Sequence, residues 1–208
     1  MTGRLAALAV ALGAAMLVQG CALVAVGAGT AVAYSAIEDR RSAGTQIEDE
    51  GIELRASNRI DQRFGFKVHV NVTSFNRSVL LTGEVPDARS REELEKIVSE
   101  VPGVRALLNE VATSPVSSLG ARTGDSLVTS NVKARILGTK NLSSLHVKVV
   151  TEAGVVFLMG IVTEAEGGAA AEVARNTDGV RRVVKAFEYC QGKDKVCRPA
   201  PPPAKPAA

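Results

Sequence analysis

A pair of apolar strands occurs twice in this chain, and the two copies keep one register. The first runs from His69-Val70-Asn71-Val72 to Val79-Leu80-Leu81-Thr82-Gly83-Glu84-Val85. The second runs from His146-Val147-Lys148-Val149 to Val156-Phe157-Leu158-Met159-Gly160-Ile161-Val162. The offset is 77 residues throughout, turn included. Apolar side chains alternate along the strands and turn formers, Asn76-Arg77 and Ala153-Gly154, fill the break, so each copy reads as a hairpin. A repeat this long that occurs twice indicates a duplicated small domain rather than a solenoid.

The repeat extends outward. Ile52, Ala56 and Ile60 match Val128, Val132 and Ile136 at an offset of 76, each set spaced i, i+4, i+8 on one helix face. Pro102-Gly103-Val104-Arg105 matches Asp178-Gly179-Val180-Arg181 at the same offset of 76, after a helical segment and before a short strand. Each unit therefore reads helix, strand, strand, helix, strand. This order, with a Gly inside the second strand and Gly-Val opening the last, resembles the BON domain of bacterial envelope proteins. The resemblance covers residues 47–111 and 125–189. The expected fold is α+β: two tandem αββαβ domains, each a three-stranded mixed sheet with two helices packed on it.

At the start of the chain, Arg4 precedes an apolar Ala/Leu/Val run that ends in Leu17-Val18-Gln19-Gly20-Cys21. A basic start, a short apolar stretch and a small residue at the cleavage point make a secretory signal. A Cys directly after that Gly resembles a lipobox. Residues 1–20 are then a signal peptide, and Cys21 is the residue that carries the acyl chains. Several chains on one residue exceed the marginal hold of a single one, so anchoring is expected to be stable. The alternative is a transmembrane helix, because Leu5 to Ile37 holds no charge. Ala22 in place of Asp implies, by resemblance to lipoprotein sorting signals, export to the outer membrane. Residues 21–46 make the acylated Cys and its tether, and Glu38-Asp39-Arg40-Arg41 begins the soluble part.

Two such units behind such a signal resemble the dual-BON-domain outer-membrane lipoproteins linked to division and outer-membrane stress. That resemblance implies an anionic-phospholipid partner for the second domain, a place on the periplasmic face of the outer membrane and no catalytic residues.

Between the units, residues 112–124 lack periodicity and are rich in Ser, Thr, Gly and Pro, so they read as a linker. After Tyr189, residues 190–208 hold Cys190, Cys197 and a Pro/Ala tail read as extended or disordered. Two Cys in an exported chain, with Gly between them, point to a disulfide closing a small loop; free thiols or a zinc site are the alternatives. Each unit of about 65 residues is small for an independent core, so mutual support is expected. With no Trp, the cores must be built from Val, Leu, Ile and Ala. Without Arg4 the charges are 24 basic and 22 acidic, a balance that points away from nucleic acid. Residues 47–111 carry 9 basic and 12 acidic groups, and 125–189 carry 8 and 7, so the second domain suits an anionic partner better.

No catalytic constellation stands out. His69 and His146 occupy equivalent places, which favours repeated strand residues over bases or metal ligands. Glu92, Glu93 and Glu95 mix with Arg89, Arg91 and Lys96 as a solvated helix face does. There is no nucleophile elbow and no phosphate loop. No cofactor, metal or enzymatic activity is expected; an unrecognised hydrolase is the weakest reading.

The sharper signal separates the first helices of the two units. In the second, at about 100° per residue, Leu127 and Leu137 fall outside the core stripe, beside Ser130, Lys133 and Ala134. Their counterparts in the first unit are Gly51 and Asp61. Leucines flanked by Lys133, Arg122, Arg135 and Lys140 fit insertion among anionic headgroups such as phosphatidylglycerol or cardiolipin. The resemblance places lipid contact on this helix. Packing of both Leu residues against the first domain is the other reading. Leu80, Thr82 and Glu84 face Phe157, Met159 and Ile161 in the alignment, so the second sheet is apolar on both sides and needs a cover. The first domain or a second copy would supply it. The functional expectation is a non-catalytic lipoprotein that binds anionic phospholipid and supports envelope integrity and cell division. An adaptor for envelope proteins, without lipid selectivity, is the alternative.

Overall fold

A computed structural model of the chain describes residues 39–191, Asp194 and Cys197. The signal peptide, Cys21 and the Pro/Ala tail lie outside the described residues.

Helix α1, Ala43–Phe64, opens on a Ser42 cap whose hydroxyl accepts from the Thr45 amide at 3.1 Å. It buries Ile52, Ala56 and Ile60. Gly65, at φ 55°, ends it in a short 3-10 turn. Strands β1, His69–Phe75, and β2, Ser78–Val85, pair antiparallel about a turn in which Asn76 and Arg77 both have positive φ. Helix α2, Ala88–Ser99, is capped by Asp87. It leads to β3, Ala106–Asn109, and β4, Ala112–Thr113, both parallel to β2.

The second unit repeats this order. Helix α3, Leu119–Leu137, precedes β5, Val147–Glu152, and β6, Val155–Val162. Helix α4, Glu164–Arg175, starts in a capping box of Thr163 and Glu166, and β7, Arg182–Tyr189, closes a sheet of order β5-β6-β7.

The architecture is therefore α+β, two αββαβ units in tandem. One glycine in each second strand is set by close approach: a Cβ on Gly83 or Gly160 would collide with the carbonyl of His69 or His146 on the neighbouring strand. Three details depart from the sequence expectation. The first sheet has a fourth short strand, because Glu110 and Val111 break the last strand and β4 resumes the same register along β2. The stretch 112–124 read as a linker contains β4 and the first turns of α3, since Ser118 caps the helix from the Ala121 amide at 3.2 Å. Likewise α1 begins at Ala43, inside the stretch 21–46 read as tether.

Each unit has its own core. Ile52, Leu81, Leu94 and Val98 anchor the first, and Val132, Ile136, Leu158 and Ala170 anchor the second. A third cluster lies between the sheets: Phe75 and Leu80 against Phe157, Met159 and Ile161. The cover for the second sheet is thus the first domain, packed back to back. Burying Phe157, Met159 and Ile161 contributes on the order of 5–9 kcal/mol before ordering costs. Polar contacts rim this face, among them Lys148 to Glu53 at 2.8 Å, Asn76 to Glu188 at 2.9 Å and Asn71 to Glu152 at 3.0 Å.

Candidate membrane-binding face

Helix α3 is anchored by Val132 and Ile136, both fully buried, which fixes what its other side presents. Leu127 is 61 % exposed and Leu137 74 %. Neither is covered by the first domain. Ser130, Lys133 and Ala134 are exposed on the same side of the helix. One turn earlier the stripe continues through Thr123 to Leu119, which is 79 % exposed. Leu119 lay in the stretch read as linker, so the sequence reading missed it; the Ser118 cap signal was the clue.

The hydroxyls along this side are spent within the helix. Thr123 donates to the Leu119 carbonyl at 2.9 Å, Ser126 to Arg122 at 3.0 Å and Ser130 to Ser126 at 2.9 Å. A stripe with leucines at both ends and self-satisfied hydroxyls between them offers no orphan polar group to a low-dielectric neighbour. Residues 119–142 hold four basic side chains, Arg122, Lys133, Arg135 and Lys140, and one acid, Asp125. That acid is turned away, accepting the Ala153 and Gly154 amides at 2.9 and 2.8 Å. Arg122 and Arg135 are bound to Ser117 and to the Asn176 carbonyl, whereas Lys133 and Lys140 are exposed.

The equivalent helix of the first unit differs in charge more than in apolarity. It exposes Ile47 and Leu54, which the sequence reading passed over, but residues 43–64 carry five acids and three bases. Phe66, fully exposed just after α1, was also missed; it shares a cleft with Val116 and Arg122.

Three carboxylates have displaced pKa values, and the amide and hydroxyl of Ser90 lower that of Asp87, the cap of α2. Burial pushes Glu166 up, but hydrogen bonds from Arg40 and Thr163 overcome this and hold it at about 2. Burial pushes Glu152 up, and Glu84 adds to this, against hydrogen bonds from Asn71 and Thr82 and the charge of His69. At the end of β7 the structure joins Cys190 and Cys197 as a disulfide, with Cα atoms 6.0 Å apart. No helix among the described residues is long and apolar enough to cross a membrane.

Two αββαβ units packed sheet to sheet, each with its own core, define a tandem α+β domain protein. The chain belongs to the BON-domain family, whose model matches residues 52–115 and 124–191. It is 37 % identical over 184 residues to the Outer membrane lipoprotein DolP of Haemophilus influenzae, covering 88 % of this chain and 95 % of that one. It is 37 % identical over 155 residues to a 21 kDa hemolysin of Actinobacillus pleuropneumoniae, covering 74 % and 80 %. It is 30 % identical over 144 residues to Osmotically-inducible protein Y of Escherichia coli, covering 67 % and 72 %.

Proposed function

We propose that this chain is a non-catalytic outer-membrane lipoprotein, anchored through Cys21 on the periplasmic side, whose second domain binds anionic phospholipid through α3. The lipoprotein reading draws on the sequence around Cys21 and on the name of the Haemophilus relative. Support for envelope integrity and cell division is the role the family resemblance carries. The observation behind the lipid reading is the exposed stripe Leu119–Leu127–Leu137 on a segment with four bases and one acid that is turned away.

The magnitudes fit a helper contact rather than a sole anchor. Each Leu that enters the headgroup boundary contributes up to about 2 kcal/mol. Each basic side chain near an anionic surface adds about 1 kcal/mol before screening. A chain already tethered to the bilayer pays little further entropy, so these modest terms suffice.

Flotation of residues 38–208 with vesicles tests this directly. The parent should float with phosphatidylglycerol or cardiolipin vesicles and stay behind with phosphatidylcholine ones. Leu127→Asp and Leu137→Asp should abolish flotation and melt like the parent, because both sites are exposed. Val132→Asp should unfold the second domain. Leu→Asp proteins that bind vesicles as the parent does would sink the lipid reading. In cells, Cys21→Ala should prevent labelling by radioactive palmitate.

A second reading, an adaptor for envelope proteins, is favoured by one feature. Ile47 and Leu54 form an exposed apolar pair among acids on α1, a face suited to a basic protein partner rather than to anionic lipid.

A further inference from the structure

The outer face of β2 is buried against the second domain, yet it carries polar groups. Glu84 is 5 % exposed and Thr82 1 %. Glu152, at the end of β5 in the other domain, is 8 % exposed. His69 stands opposite Glu84 in the β1–β2 register, with its Nδ1 3.1 Å from the Glu84 carboxylate. Donor atoms of His69, Glu84 and Glu152 lie within 4.8 Å of one another.

The charges in this cluster do not balance. Among the described residues no Lys or Arg pairs with Glu84 or Glu152, whose partners are His69 and the Asn71 amide. Elsewhere in the molecule a guanidinium meets such a carboxylate: Arg41 pairs with buried Asp49 and Arg40 with half-buried Glu166. The repeat sharpens the contrast. His146, the counterpart of His69, lies 3.5 Å from Glu166, where Arg40 already supplies the positive charge. Two carboxylates removed from water without a cation are costly unless something positive joins them. The buried Thr82 hydroxyl lies beside Glu152, close enough to donate to its carboxylate.

We infer that His69, Glu84 and Glu152 form a binding site for a divalent transition-metal cation held between the two domains, with the Thr82 hydroxyl beside it. One imidazole and two carboxylates are a donor set that first-row divalent ions accept. Bonds of about 2.0–2.2 Å require donors closer together than they now stand, a contraction that rotation of the Glu84 and Glu152 side chains can supply. A cleft of about 320 Å³ lined by His69, Asn71, Arg122 and Glu152 gives the ion a way in. Two of the donors belong to the first domain and one to the second, so the cation would clamp the inter-domain face. The equivalence of the two His residues in sequence conceals this, because Glu84 aligns with Ile161 and only the first hairpin brings an acid to the imidazole.

The test uses the full chain in detergent micelles, stripped with chelator and titrated with zinc by calorimetry near pH 7. Zinc should bind once per chain and raise the melting temperature. Glu84→Gln and Glu152→Gln, which keep shape and remove charge, should each weaken binding at least tenfold. In the parent alone, the ring resonances of His69 should shift with zinc and those of His146 should not, a reading independent of how the variants fold. Zinc that binds Glu152→Gln as it binds the parent, or that shifts His146 instead, overturns the proposal. So does absence of zinc binding.

Discussion

Asp49 is a buried acid whose carboxylate takes both backbone amides of a hairpin turn, Asn76 at 2.8 Å and Arg77 at 2.7 Å. It also accepts from the Ser74 hydroxyl at 2.7 Å and pairs with Arg41. Asp125 does the same for the second hairpin through Ala153 and Gly154, and the two acids are 76 residues apart, the offset of the helices they sit on. Both turns need positive φ at two successive residues, and a carboxylate that gathers their amides holds them there. Asp49→Ala should therefore destabilise the protein by about 3 kcal/mol, because it removes the acceptor of two turn amides and of the buried Ser74 hydroxyl, and a charge partner of Arg41. Asp125→Ala, at a more exposed site, should cost about 1 kcal/mol. Urea denaturation of both variants measures this, and equal losses would refute the ranking. The aspartates were visible in the repeat, but an acid early in a helix reads as a solvated or dipole-facing charge until the turn it reaches is known.

At the scale of elements, the alternation in the hairpins and the i, i+4, i+8 stripes carried the order of helices and strands, since both record which face meets a core. The start of α3 was illegible because Gly120, Thr123 and Gly124 are poor helix formers, and the Ser118 cap with internal hydroxyl bonds compensates for them. Leu127 and Leu137 stood out by their angle from the core stripe, whereas Leu119 was hidden with the misread turns. The end of β7 illustrates a further element-scale device. Cys190 packs against the inter-domain cluster, and its bond to Cys197, seven residues on, ties the following segment to that strand. By loop-closure entropy such a short ring is worth about 2 kcal/mol. Alkylation of the protein without reductant should leave Cys190 and Cys197 unmodified in an intact mass. Reduction should lower the denaturation midpoint correspondingly.

At the scale of the whole molecule, the apolar outer face of the second sheet was legible, and of the two covers it allowed, the first domain or a second copy, the structure shows the first domain. The matching face of the first domain is less apolar, yet its Thr82 and Glu84 are also buried in the contact. Arg40, read as part of a charged start to the soluble region, instead reaches from the segment before α1 to the second domain. It donates to the Ile161 carbonyl at 2.8 Å and to Glu166 at 2.7 and 2.9 Å. Glu166 also caps α4 by accepting from the Thr163 amide at 2.8 Å, so one carboxylate joins a helix start to a distant part of the chain. Burial raises its pKa, but Arg40 and Thr163 bring it from 4.5 in the unfolded chain down to about 2. A carboxyl with a depressed folded pKa binds fewer protons folded than unfolded. Its stabilisation is complete above about pH 4.5 and is lost as the pH falls from there towards 2. Glu166→Gln should thus be less stable than the parent near pH 7 and should lose less on acidification. Urea midpoints for the two proteins should converge between about pH 4.5 and 2. If the gap between them stays constant across that range, the Arg40–Glu166 contact does not couple folding to this proton, and the link between the start of the chain and the second domain must be carried by Arg40 and the Ile161 carbonyl alone.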